Sequence, residues 1–351
     1  MRVGLVADTL SIEKGTGIAR YCGELLKGLA AKGVHAEPIA PAPPGLPFGV
    51  AINHALRMPY LVRSKAHRFD LVHATSPITA LAFPLVSTPK IVTYHDLFSL
   101  LCESSNAAFH TRLFAPLFLR IGQTADRIIA VSCQTKAEMI EHLGIPPDKI
   151  RVVNYGVSDM FRLARTDSHR GCIIGYVGTL ERRKGVDYLL RVVQLLKARG
   201  VSSPLRLAIY GSTSKKSPEY PALRELVKQL DLSDEVEFKG FQSGSSLVRA
   251  YNSFDVLMLP SEWEGFGLPI LEAQACGVPV IIRRDAHIPP EVSRHCVLSD
   301  SVMDAADRIC ELLTDSTLRK TVIEKGLEYS QQFTWSRVID ETLAVYEEAL
   351  G

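Results

Sequence analysis

None of the chain's 17 aspartates lies two positions from another, so it lacks the D-x-D element that holds a divalent metal on a sugar nucleotide. A G-x-x-x-x-G-K-[ST] loop, a G-x-S-x-G elbow and an H-E-x-x-H helix are also missing, which argues against P-loop, hydrolase-triad and metallopeptidase chemistry. The seven cysteines are odd in number, scattered and without a C-x-x-C pair, so neither a disulfide framework nor a zinc site is expected, and the setting reads as reducing. A strong positive field is absent as well: 40 Lys+Arg against 38 Asp+Glu leave a net charge of +2, which excludes the electrostatics of a nucleic-acid binder. Long apolar runs are lacking. The long charge-free stretch between Glu37 and Arg57 carries Pro38, Pro41, Pro43, Pro44 and Pro47 and cannot form a spanning helix. Met1 to Ala7 runs straight into a strand pattern with Asp8 behind it, too early for a signal peptide, so the expected location is cytoplasmic.

What is present is an ordinary globular composition, with 46% apolar residues in 351, enough for two compact domains. The charge divides unevenly, at +6 for residues 1–165 and −4 for 166–351, as two units with different partners would have it. Short β-branched runs alternate with helical patterns along the whole chain, which predicts an α/β protein with parallel sheets covered by helices. Strands are expected at Val3–Ala7, Leu71–His73, Ile91–Tyr94, Ile128–Val131 and Ile150–Val153, then at Cys172–Val177, Leu205–Tyr210, Val236–Phe238, Val256–Leu259 and Val278–Ile282. Each half then forms a doubly wound, Rossmann-like domain, with the seam in the polar stretch from Gly156 to Arg170 and ligands at the strand C-termini in a cleft between the halves. The expected division is 1–160 and 161–335.

The most informative segment is Leu259-Pro260-Ser261-Glu262-Trp263-Glu264-Gly265-Phe266-Gly267-Leu268-Pro269-Ile270-Leu271-Glu272. A strand ends, a glycine-containing loop follows, and Pro269 suits the first helical position, where its missing N–H costs nothing. Free N–H groups near Phe266, Gly267 and Leu268 would favour an anion such as a diphosphate. Glu264 and Glu272 suit neutral hydroxyls beside it, so a phosphate-bearing sugar is the natural ligand. A carboxylate in the helix's first turn, where Glu272 is expected, would also complement the dipole with no ligand at all. The second constellation is Gly178-Thr179-Leu180-Glu181-Arg182-Arg183-Lys184-Gly185, whose cations precede a helix N-terminus and are unfavourable there unless an anion shares the site. Lys184 and Arg183 could offset a leaving diphosphate; a solvated basic turn is the plainer alternative. Lys14-Gly15-Thr16-Gly17 opens a helix after the first strand but lacks the third glycine of a dinucleotide fingerprint. His95 and His73 each sit at a strand's C-terminal end, where packed histidines outnumber catalytic ones.

Taken in order, these residues resemble the retaining, nucleotide-sugar-dependent glycosyltransferases of family 4, which have the two-domain B-type fold. The likeness runs from Lys14–Tyr21 through Thr93–Leu97, Ala125–Ser132, Val177–Leu180 and the E-x7-E element Glu264–Glu272 to Pro289–Val292 and Phe333–Trp335. It implies that Lys184, with Arg183 beside it, binds the donor diphosphate. Glu264, Gly265 and the main chain of Phe266, Gly267 and Leu268 would hold the sugar, and Glu272 the ribose diol. Gly15, Thr16 and Gly17 would close over the donor, His95 would contact the sugar near the reacting centre, and Phe241 and Gln242 would border the base. Many members carry Arg where this chain has Thr179, which leaves open whether Arg182 or Arg183 supplies that charge. The resemblance also implies that a last helix, here 336–351, returns to the first domain. No cofactor or metal is expected beyond the donor, for which Gly178–Lys184 favours GDP-mannose over a UDP-sugar. The acceptor would be a saccharide or lipid-linked hydroxyl in polysaccharide or glycolipid assembly. A basic and apolar front surface (Phe48, Leu56 to Val62, Phe109 to Arg120) suggests contact with anionic membrane, unless these residues simply pack the first domain. A sugar-nucleotide epimerase or a non-catalytic binding module of the same architecture stays open.

Overall fold

The computed structural model describes residues 1–7, 17–41, 56–101, 109–164, 171–201, 204–213, 217 and 219–351, with the side chains of 109–115 left aside. The chain forms two compact units, Met1–Gly156 joined by Trp335–Gly351, and Val157–Thr334.

In the first unit the elements run β1 (Arg2–Val6), α1 (Gly17–Ala31), β2 (His35–Ile39), α2 (Met58–Lys65), β3 (Leu71–Ala74), β4 (Lys90–Tyr94), α3 (Phe98–Leu101), α4 (Phe109–Gly122), β5 (Arg127–Ala130), α5 (Cys133–Leu143) and β6 (Ile150–Val152). The second unit continues with β7 (Cys172–Val177), α6 (Val186–Ala198), β8 (Leu205–Tyr210), α7 (Tyr220–Gln229), β9 (Val236–Phe238), α8 (Gly244–Ser253), β10 (Val256–Leu259), α9 (Leu268–Ala275), β11 (Val280–Arg283), α10 (Pro290–Ser293), β12 (Val297–Ser299), α11 (Val302–Thr314) and α12 (Ser316–Ser330). Helix α13 (Trp335–Leu350) returns to the first unit.

Both sheets have six parallel strands, ordered β2-β1-β3-β4-β5-β6 and β12-β11-β10-β7-β8-β9. Strands β3 and β10 are buried along their whole length, because helices cover both faces of a parallel sheet and no alternation survives. Two edge strands were not expected from the sequence, β2 and β12. β2 carries Pro38, but it pairs only with β1 and lies at the sheet's edge, where a residue without an N–H is tolerated. Three-residue β12 is too short to show a period.

Helix α13 packs on the first unit by complementary shape and charge. The Ile339 side chain lies where a Cβ on Gly28 of α1 would stand, at 2.3 Å, so helix contact there depends on the missing side chain. Glu348 pairs with Arg127 at 3.2 Å and with Arg151 at 2.9 Å, and Lys32 pairs with Asp340 at 2.6 Å. Inside, His73 is wholly buried, its Nδ1 2.8 Å from the Tyr346 hydroxyl and its Nε2 2.8 Å from Thr93 Oγ1. Burial pushes its imidazole down to about 3, so His73 is neutral and structural. Among the described residues no helix is long and apolar enough to cross a membrane.

Candidate active site

In the second sheet the chain direction of strand addition reverses between β7 and β10, which are neighbours. Sheets of this kind bind ligands outside the strand C-termini at such a switch point. The two loops that leave it carry the two constellations singled out in the sequence, residues 178–185 after β7 and 260–267 after β10. They are drawn together closely. A Cβ on Gly185 would stand 2.3 Å from the Pro260 carbonyl oxygen, and Gly185 has φ +65°, so both space and backbone conformation call for glycine.

The result is a buried ion pair between residues 80 positions apart. Lys184 Nζ lies 2.6 and 2.7 Å from the two Glu264 carboxylate oxygens, and Ser261 Oγ donates to Oε1 at 2.6 Å. Burial works to raise the Glu264 carboxyl, but the Lys184 ammonium, with Ser261, more than offsets it and holds the group below the usual carboxylate range. Sequence reasoning gave the two residues separate ligand contacts; the structure makes them each other's partner. Ser261 was missed, although a hydroxyl three residues before a loop carboxylate is a recognisable signal.

Arg183 braces the same loops. Its Nε donates to Glu181 at 2.8 Å, its Nη1 donates to the Trp263 carbonyl at 3.0 Å, and its own carbonyl accepts the Glu262 N–H at 2.8 Å. The Glu264 N–H donates to the His287 carbonyl at 2.9 Å, and Trp263 lies tilted against the His287 ring, centroids 3.8 Å apart. Arg182 is exposed at the start of the turn, and Thr179 is exposed with its carbonyl accepting the Tyr176 hydroxyl at 2.8 Å.

Helix α9 begins at Leu268 behind Gly267, which at φ +101° takes a conformation that L side chains rarely adopt. Pro269 is therefore its second residue, not the first. Glu272 is the fifth, beyond the first turn, which corrects the expectation that it complements the dipole there; the first turn holds no acid. Glu272 instead is buried and accepts the Tyr251 hydroxyl at 2.8 Å, with Tyr251 on α8. Phe266 is buried edge-on against Phe333 at 6.2 Å and pins the loop, while Gly265 and Leu268 are half-buried. Phe241, 42% exposed, and Gln242 follow Gly240 on the loop after β9, also at the C-terminal edge of this sheet.

The first unit holds the remaining residues. His95 follows β4, and Gly17 opens α1; Gly15 and Thr16 lie outside the described residues. His95 Nε2 donates to the Thr75 carbonyl at 2.6 Å, and its Nδ1 meets the Tyr155 hydroxyl. Of the front-surface residues, Met58 and Val62 prove to be core, whereas Leu56, Tyr60 and Leu117 are exposed. Phe48 and the side chains of residues 109–115 lie outside the described residues.

The sequence matches two family descriptions that together span most of the chain, "Glycosyltransferase Family 4" over residues 15–160 and "Glycosyl transferases group 1" over residues 166–329. The chain belongs to the group 1, family 4 glycosyltransferases. They are retaining enzymes that use nucleotide sugars, and the two six-stranded parallel sheets are their B-type fold. Two D-inositol 3-phosphate glycosyltransferases are similar to it. That of Saccharomonospora viridis is 28% identical over 81% of this chain and 71% of its own length. That of Acidothermus cellulolyticus is 29% identical over 93% and 78%. Among solved structures, sucrose-phosphate synthase of Thermosynechococcus elongatus superposes with a TM-score of 0.81 at 21% identity, covering 99% of this chain and 98% of that one. The Anabaena protein HepE, in complex with UDP and glucose, gives 0.79 at 17% identity, covering 99% and 100%.

Proposed function

We propose that this enzyme moves a hexose from a uridine diphosphate sugar to an acceptor hydroxyl, without a metal. The second unit, Val157–Thr334, is the donor domain in this reading, and the first, with its returning helix, is the acceptor side. The observation that carries it is the buried Lys184–Glu264 pair at the switch point, beside the start of helix α9, whose first N–H groups have no acceptor within the helix.

The chemistry follows from those positions. As the bond between the anomeric carbon and the diphosphate oxygen breaks, negative charge grows on the leaving group. Lys184 and the N–H groups at the α9 start stabilise that charge more in the transition state than in the ground state. Glu264, already ionised by its partner, accepts hydroxyls of the sugar, and Glu272 those of the ribose. The acceptor oxygen bonds to the anomeric carbon on the face the leaving group vacates, and its proton passes to the departing diphosphate. Arg183, tied to Glu181 and Trp263, sets the shape of the loop, so the second cation facing the diphosphate is Arg182.

Uridine is favoured over the guanosine donor that Gly178–Lys184 suggested because the structural neighbour HepE was solved with UDP and with UDP-glucose. Exposed Tyr60 among Arg57, Arg63 and Lys65 on and beside α2 supports contact with an anionic lipid surface during transfer to a lipid-linked acceptor.

A thermal-shift panel of GDP, UDP, ADP and their sugar conjugates in EDTA tests the donor, since a ligand of the native state raises Tm. UDP and its sugars raising Tm in EDTA is the expected outcome; a shift by GDP-mannose alone would return the assignment to a mannosyl donor. No shift with any of them at millimolar concentration would remove the donor site.

A further inference from the structure

The first unit contains a second set of buried polar side chains, and it surrounds His95. Thr75 follows β3, His95 follows β4 and Tyr155 follows β6, so three loops at one edge of a parallel sheet converge on a single imidazole. Asn154 fixes the last of these, its Nδ2 donating to the Val131 carbonyl at 2.9 Å, and the Val153 N–H donates to the Ala130 carbonyl at 3.0 Å. Tyr155 is thereby carried across the end of β5 to the ring. Tyr21 of α1 packs edge-on against both, at 5.6 Å from His95 and 5.4 Å from Tyr155.

The hydrogen-bond partners decide the tautomer. A main-chain carbonyl can only accept, so the proton of the bond to Thr75 sits on Nε2. Nδ1 of a neutral ring then has a lone pair, and the Tyr155 hydroxyl must donate to it. We infer that Tyr155 is a positioning residue for the transfer reaction, whose hydroxyl locks His95 as the neutral Nε2–H tautomer.

Several groups bear on the charge of this ring. Asp96, next in the chain, favours protonation; His73 on β3 is neutral and adds no charge; Tyr21 and Cys22 of α1 bear on the Tyr155 phenol. Burial outweighs the Thr75 bond and Asp96 and holds the imidazole below its ordinary value, while burial drives the Tyr155 phenol well above its own and keeps its proton in place. Both ring nitrogens are committed inside the protein. His95 therefore meets the sugar as a fixed, uncharged surface and neither gives nor takes a proton: burial keeps the ring neutral, and the Tyr155 hydroxyl occupies the Nδ1 lone pair and fixes the plane of the ring.

The inference rests on the reading of His95 as a neighbour of the transferred sugar, and two measurements separate the parts. Long-range proton–nitrogen NMR of the wild-type protein reads the tautomer without substrate. A protonated Nε2 and bare Nδ1, unchanged from pH 6 to 8, are expected; a proton on Nδ1 overturns the assignment whether or not any variant folds. In Tyr155→Phe, the Nδ1 resonance should move, the ring should titrate within that range, and kcat should fall roughly tenfold or more with donor KM within about twofold. An unchanged spectrum and an unchanged kcat–pH profile in a folded variant would overturn it. A changed spectrum with unaltered kcat would confine Tyr155 to structure and overturn the positioning role, while leaving the donor site in the second unit untouched.

Discussion

Lys184 Nζ donates to both carboxylate oxygens of Glu264, at 2.6 and 2.7 Å, so the cation expected to meet the donor diphosphate already neutralises an internal acid. Removing one partner strands the other. Lys184→Met should lower stability by about 3–5 kcal/mol, the usual cost of an unpaired buried charge, and turnover by about 10² to 10³. Glu264→Gln added to it should restore much of the stability and none of the rate, which denaturant melts and initial rates would show. The sign of the pH dependence is fixed: with the Glu264 carboxyl held low, its contribution is complete above about pH 4.3, the unfolded value, and is lost as pH falls through the folded value.

Gly185 makes that pair possible. In Gly185→Ala the new Cβ would meet the Pro260 carbonyl at 2.3 Å in a left-handed conformation, so the two loops must part. Backbone strain alone should cost about 1–3 kcal/mol, visible as a lowered Tm, and turnover should fall together with it. Retained activity at wild-type Tm would show that the loops need not touch.

Glu272 and Tyr251 should act on binding more than on rate. Hydrogen bonds to a charged group contribute about 1.5–3 kcal/mol, so Glu272→Gln should weaken nucleotide binding by roughly 10- to 100-fold in calorimetry with kcat little changed. Tyr251→Phe, which removes one hydrogen bond to the carboxylate, should have a smaller effect of the same sign.

Acid should loosen the first unit before the carboxylates titrate. His73 is held down to about 3 by burial, so below pH 6.5 the unfolded chain binds a proton that the folded one refuses. Stability from this group is present above pH 6.5 and falls by about 1.4 kcal/mol per pH unit down to about pH 3. His73→Gln should flatten that slope in urea melts between pH 4 and 6.

Much of this was legible from residue order. Strands β7, β8 and β10 fall where the β-branched runs predict, because central parallel strands are apolar on both faces and bounded by loops. The E-x7-E element and Lys184 were visible as types at a spacing. What could not be read was pairing: nothing in a sequence says that Lys184 faces Glu264 across 80 positions, or that Tyr155 reaches His95 across a strand, because both depend on which strands are neighbours. The edge strand β2 was not read either, and its Pro38 is tolerated because the strand pairs on one side only.

The bond between His73 and Tyr346 spans 273 positions, with the whole of the second unit between them. A ribosome therefore releases the first sheet long before the helix that satisfies its buried histidine. Until Tyr346 emerges, the α13-facing surface of that sheet and Gly28 of α1 stand uncovered, and the second unit is complete first. Maturation of the first unit thus waits for residues made after the whole second unit, and the order of completion is the reverse of the order of synthesis.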